Sequence, residues 1–254
     1  TAVLSKIDDI ADKKIGIFTG TVHDAFIEKK YPKAKVFRFE STADLVISIK
    51  SGKIDAAMLD LITAKIMLKH NPELDLLTDN ILNMPLGVGF NKNNPALRDE
   101  FNRFLSEIRT DGTYDSIANR WFNENSDLTI MPRFNIPATD RKIVVGIALE
   151  DLPYVAFKNG EYAGFDIEMI QIFAKRNNYQ PEMVPMEFAS LVAALASGKV
   201  DMITDGIAIS EERAKQINFS DSYADFKTAV IASKTALGKN SNPAVEATAP
   251  SFFE

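Results

Sequence analysis

Apolar and polar positions along the chain follow two periods, a short strand alternation and a helical spacing, and the same succession is written twice. The first copy predicts a strand over 14–19, a helix over 22–30, a strand over 34–39, an amphipathic helix from Ser41 to a Ser51-Gly52-Lys53 stop, and an apolar strand from Ala56. The second predicts a strand over 142–148, a helix over 166–177, a strand over 182–186, a helix from Phe188 to Ser197-Gly198-Lys199, and a strand over 202–205. A lone Ser-Gly-Lys is a common helix C-cap; two, inside equivalent elements, indicate a duplicated β-α-β-α-β lobe. The expected fold class is therefore α/β: two lobes, each a mostly parallel sheet with helices on both faces, and a ligand cleft between them at the carboxyl ends of the strands.

Between the copies, residues 86–92 read as an apolar strand, followed by helices over 94–109 and 113–122 broken at Asp111-Gly112. Phe101, Phe104, Leu105 and Ile108 recur at helical spacing and should be core. Residues 123–139, with Pro132 and Pro137, read as a surface linker, and 235–254 as a disordered tail or tether. The expected division is 1–88 for one lobe, 89–122 for return helices packing on the other, and 140–234 for that other lobe.

Composition narrows the partners. With 254 residues, a net charge of -6 and a pI near 5.1, the chain lacks the clustered cations that nucleic acid or an anionic membrane requires. Small solutes remain. No run approaches the roughly 20 apolar residues of a membrane span, and the start at Thr1 reads as processed or trimmed. Zero cysteine removes disulfides, thiolate catalysis and thiolate zinc sites, and His23 and His70 are the two histidines. No metal, cofactor or catalytic constellation is expected.

Four stretches carry a resemblance: 146–166, ending in Tyr162-Ala163-Gly164-Phe165-Asp166; 201–221, containing Ile209-Ser210-Glu211-Glu212-Arg213; 13–21, ending in Thr19-Gly20-Thr21; and 97–122, with Asp111-Gly112-Thr113-Tyr114 and Trp121-Phe122. The chain resembles the polar amino-acid family of periplasmic substrate-binding proteins, bacterial extracellular solute-binding proteins of family 3, which have the type II periplasmic-binding fold. The order is rotated. The family normally begins with the Gly-Phe-Asp lobe, which here comes last, so we read a circular permutant completing one clamp, the rival being a fragment spanning two tandem domains. In the permutant the second lobe crossing is expected to be broken, with its ends at Ser233-Lys234 and at 1–4.

An amino-acid zwitterion leaving water needs a fixed cation and a fixed anion. The resemblance places Arg213 at the carboxylate clamp and Asp60 at the ammonium; the plain alternatives are a surface ion pair of Arg213 with Glu211 or Glu212, and an N-cap at Asp60. Thr21 opens a helix whose free amides suit a carboxylate. Phe188 matches a flanking aromatic and Tyr154 a Phe of the family, and either could be core; Phe18, within the first strand, is a further ligand-binding candidate. Gly206 should offer backbone groups. Ala208 replaces a customary hydroxyl, and Asp151 and Asp205 add carboxylates that favour a cationic side chain, unless solvated or capping. His23 stands where it could touch that side chain, or face solvent. The resemblance implies a monomeric component of an amino-acid ABC transporter, at the periplasm or cell surface and tethered to the inner membrane, with a permease partner that could begin after Glu254. The rival functions are a cyclohexadienyl dehydratase-like enzyme and a receptor sensing domain.

Overall fold

The computed structural model describes residues 3–149 and 152–239. The first half runs β1 (Lys14–Phe18), α1 (Val22–Lys30), β2 (Lys35–Phe39), α2 (Thr42–Lys50), β3 (Ala56–Asp60), α3 (Leu61–His70), β4 (Leu74–Thr78), β5 (Asn83–Leu86) and β6 (Gly89–Phe90). Helices α4 (Pro95–Thr110) and α5 (Thr113–Trp121) follow. The second half runs β7 (Lys142–Ile147), β8 (Ala156–Lys158), β9 (Glu161–Ala163), α6 (Phe165–Arg176), β10 (Gln180–Pro185), α7 (Leu191–Ala196), β11 (Met202–Thr204), α8 (Glu211–Gln216), β12 (Asn218–Phe219) and β13 (Ala224–Ser233).

Local chemistry accounts for the helix starts. The Ser41 hydroxyl accepts the Asp44 amide, Asn94 accepts that of Leu97 ahead of Pro95, and Ser210 accepts that of Arg213. Gly112, at φ +80°, supplies the left-handed residue that separates α4 from α5.

Two sheets result. One has the order β2-β1-β3-β13-β4, with β5 also pairing with β13; the other has the order β10-β7-β11-β6-β12. Strands β1 to β3, and likewise β10, β7 and β11, are parallel, whereas β13 and β6 are inserted antiparallel and β12 adds an antiparallel edge. The β8–β9 hairpin stands apart.

The position of β13 differs from the expected division. Its run Thr228-Ala229-Val230-Ile231-Ala232 is buried and pairs with β3 and β4, in the lobe of the first half. An apolar strand with two buried faces needs partners on both edges, and the first sheet supplies them. The expected break in the second crossing is corrected for the same reason. The chain crosses at 87–88 and again, unbroken, at 220–223. The crossings bond to each other: Ser220 N–H to Val88 O at 2.9 Å, Val88 N–H to Ser220 Oγ at 3.0 Å, and Tyr223 N–H to Leu86 O at 3.0 Å. Leu4 donates to Ala236 O at 2.8 Å, so both described ends lie in the first lobe.

Helices α4 and α5 pack on the second lobe. The rings of Phe90, Phe101, Phe104 and Phe173 meet at 5.0 to 5.5 Å between centroids. The buried Glu168 carboxylate accepts from Trp121 Nε1 at 2.6 Å and from Arg120 Nε and Nη2 at 2.9 and 3.2 Å. The linker beyond α5 touches both lobes. Lys69 Nζ donates to Asn125 and Asp127, and His70 Nε2 lies 2.7 Å from Asp127, at the end of α3. Lys158 of the hairpin donates to the Asp127 and Thr129 carbonyls, and Met131 is buried against the second lobe.

Glu168→Ala leaves the buried Trp121 N–H without an acceptor, and we expect a loss of about 3 kcal/mol in guanidinium unfolding. Glu168→Gln keeps an acceptor and should lose less.

Candidate functional site

The cleft between the sheets holds a cavity of about 60 Å³. Its lining includes Phe18, Thr21, His23, Asp60, Tyr154, Phe188, Asp205, Gly206, Ala208 and Arg213, ten of the eleven positions singled out above. The eleventh, Asp151, lies outside the described residues. Val22, Thr63 and Phe226 complete the wall.

Arg213, in the first turn of α8, is half-buried. Its Nη1 donates to Ala208 O at 2.8 Å, its Nη2 to Gly20 O of the other lobe at 3.0 Å, and its guanidinium stands 5.4 Å from the Phe188 ring centroid. Two carbonyls and an aromatic face hold a planar fork by its edges and one side. At Ala208 the backbone carbonyl therefore orients the cation, although no hydroxyl is present.

Asp60 ends β3, and the N-cap role and a place in the cavity wall prove compatible. Its Oδ1 accepts from the Ile62 and Thr63 amides at 2.9 and 3.1 Å, and its Oδ2 accepts from the Tyr154 hydroxyl across the cleft at 3.2 Å. Burial pushes its pKa up to about 6 against those bonds. Thr63 Oγ1 reaches Leu152 O at 3.3 Å, a second tie between the lobes.

Thr21 precedes α1, but its hydroxyl donates to Phe18 O at 2.9 Å instead of capping the helix. His23 does not face solvent: it is 3% exposed, its Nε2 lies 3.0 Å from Thr228 Oγ1, and it sits against Phe226 at 5.5 Å. Burial, then the positive Arg213, lowers its pKa to about 4, so it is neutral at pH 7. Asp205 is buried on the opposite wall.

Gly206 departs from expectation in its N–H, which donates inward to Asp166 Oδ2 at 2.9 Å and not toward the cavity. At φ +55° a β-carbon there would fall 2.7 Å from the Tyr154 ring, so the position requires glycine to let that ring lie flat on the loop. Asp166 was not foreseen as a site residue, although the Gly164-Phe165-Asp166 motif marked it. It also accepts from Thr204 Oγ1 at 2.6 Å and from the Tyr223 hydroxyl at 3.0 Å, joining the pocket floor to one crossing. Burial raises its pKa to about 6.

Among the described residues, no group of three or more His, Asp or Glu is placed to hold a metal ion, and no helix is long and apolar enough to cross a membrane. Fold and site thus define a two-lobe α/β protein with a guanidinium and a carboxylate lining one cavity between the sheets. The family profile of the bacterial extracellular solute-binding proteins, family 3, matches residues 24–124 and 143–248. The chain belongs to that family.

Among its relatives, the ABC transporter arginine-binding protein 1 of Escherichia coli K12 is 32% identical over 119 residues, 45% of this chain and 49% of that protein. The arginine-binding extracellular protein ArtP of Bacillus subtilis 168 is 32% identical over 94 residues, 37% of each chain. The ABC transporter glutamine-binding protein GlnH of Bacillus subtilis 168 is 30% identical over 112 residues, 44% of this chain and 41% of that one. The chain thus spans half or less of the length of each.

Two outcomes follow from this geometry. Gly206→Ala should cost about 2 kcal/mol in thermal unfolding, through a strained backbone and a displaced Tyr154 ring. The His23 imidazole should titrate near pH 4 by NMR; a midpoint above 6 would contradict its enclosure beside Arg213.

Proposed function

We propose that this chain is the solute-binding part of an amino-acid ABC importer, closing on one polar, cationic amino acid and releasing it unaltered to a permease. The observation that carries the reading is the lining of a single cavity by Arg213 from one lobe and Asp60 from the other. A zwitterion presents a carboxylate and an ammonium a few ångströms apart, and only a site bearing the opposite pair offsets their desolvation. In this reading Arg213, with Thr21 and the first amides of α1, takes the carboxylate, and Asp60 takes the ammonium. Phe18, Phe188 and Tyr154 cover the aliphatic part, and Ala208 and the Gly206 loop form the floor. Asp205 and Asp151 draw a cationic side chain, with neutral His23 beside it.

The relatives support the cationic choice, two being arginine-binding proteins by name. We further propose a monomer working at the periplasm or cell surface, tethered to the inner membrane. Lobes 1–88 and 140–234, β13 excepted, would close about the paired crossings, with the two halves forming one permuted clamp. A closed form stabilised by contacts to both lobes would be what the permease recognises.

A thermal-shift screen against the twenty amino acids should single out arginine, lysine or histidine, with calorimetry showing saturable one-site binding. Arg213→Ala should abolish that binding with the fold intact; retained affinity would remove the clamp assignment. Asp205→Asn and Asp151→Asn should weaken cationic ligands by about tenfold or more each while sparing neutral ones.

A further inference from the structure

Tyr154 touches both sides of the cleft in different ways. Its ring is buried on Gly206, with the Phe122 ring edge-on at 5.9 Å, and Gly164 passes so close that a β-carbon there would lie 2.1 Å from Tyr154 O. The backbone and ring are thereby locked to the second lobe. Its hydroxyl leaves that lobe and reaches Asp60 Oδ2, while Oδ1 is consumed by the first turn of α3. The phenol is thus the cross-lobe donor on the carboxylate oxygen that α3 leaves over.

We propose that Tyr154 is a positioning residue: its hydroxyl, carried by one lobe, fixes the Asp60 carboxylate of the other, so that lobe closure and recognition of a ligand ammonium group are one event. This deepens the amino-acid reading and rests on it. A ring without the hydroxyl would fill the same space and leave Oδ2 to rotate. The bond also favours the ionised form of a carboxyl group that burial otherwise drives toward protonation. Among the described residues, the other charged or titratable groups around the pair are Arg213 from α8, His23 from α1, Asp205 and Asp166, and the Tyr223 hydroxyl on Asp166. A carboxylate raised above its ordinary pKa is charged only above its own midpoint, so an ammonium is held above about pH 6 and progressively released below it. Losing the phenol should move that release to higher pH.

The test is Tyr154→Phe, which keeps the ring. Carbon-13 NMR titration of the Asp60 carboxyl group should give a higher midpoint in the variant than in the unaltered protein, with no ligand required. Calorimetry should show L-arginine affinity falling about tenfold at pH 7, while the same molecule without its α-amino group loses less than about twofold. An unchanged Asp60 midpoint, or equal losses for both ligands, would overturn the proposal. If the unaltered protein binds no amino acid, the functional reading fails separately, and the titration still decides what Tyr154 does to Asp60.

Discussion

The cleft depends on one guanidinium shared between two lobes. Arg213 is permanently charged, and stripping water from it demands acceptors on every side it turns away from solvent. Ala208 O of its own lobe and Gly20 O of the other supply two, and the Phe188 face supplies a third surface. Each of these three is a fixed dipole or quadrupole with no net charge. Asp60 answers the guanidinium with a negative group anchored by helix amides, and His23, squeezed between burial and the same cation, is kept neutral. A protonated His23 would stand against the positive charge of Arg213.

The supporting layer behind these groups is one buried carboxylate. Asp166 ties Thr204, the Gly206 amide and the Tyr223 hydroxyl together, linking the end of β11, the loop under Tyr154 and the crossing into β13. Phe165 beside it is stacked between Phe122 at 4.2 Å and Tyr223 at 5.5 Å, so the start of α6 is clamped from both faces. Through Glu168, the same helix holds Trp121 and Arg120. A single helix thus connects the pocket floor, one crossing and the return helices.

Much of this was legible in the residues. The doubled Ser-Gly-Lys stops, the alternation of apolar runs and the Asp111-Gly112 break located β1 to β3, β7, β10 and β11, the helices between them, and α4 and α5, because those signals act within a few residues, whereas β4, β5, β12 and β13 were not marked. What escaped was long-range. Nothing in Thr228 to Ser233 says which sheet will accept it; only the open edges of β3 and β4 decide, and with β13 misplaced Phe226 could not be foreseen in the cavity wall. Residues 86–92 read both as an apolar strand and as one lobe crossing, and the chain does change sheets inside them, although which residues pair with which sheet was not legible. Motif resemblance found Arg213 and Asp60, but not that the Gly206 amide turns inward or that His23 is enclosed, for both are set by Asp166 and Thr228 far along the chain.

The two crossings are stitched to each other by main-chain bonds, and Leu86 also bridges to Ala208 just beneath the cavity. A double seam of that kind ties the two sheets along one line, like a book bound along its spine. Ala208 lies on that line, and its carbonyl also takes one edge of the Arg213 guanidinium, while Gly20 on the facing page takes the other. The pages are therefore joined twice, by main chain at the spine and by one charged side chain beyond it.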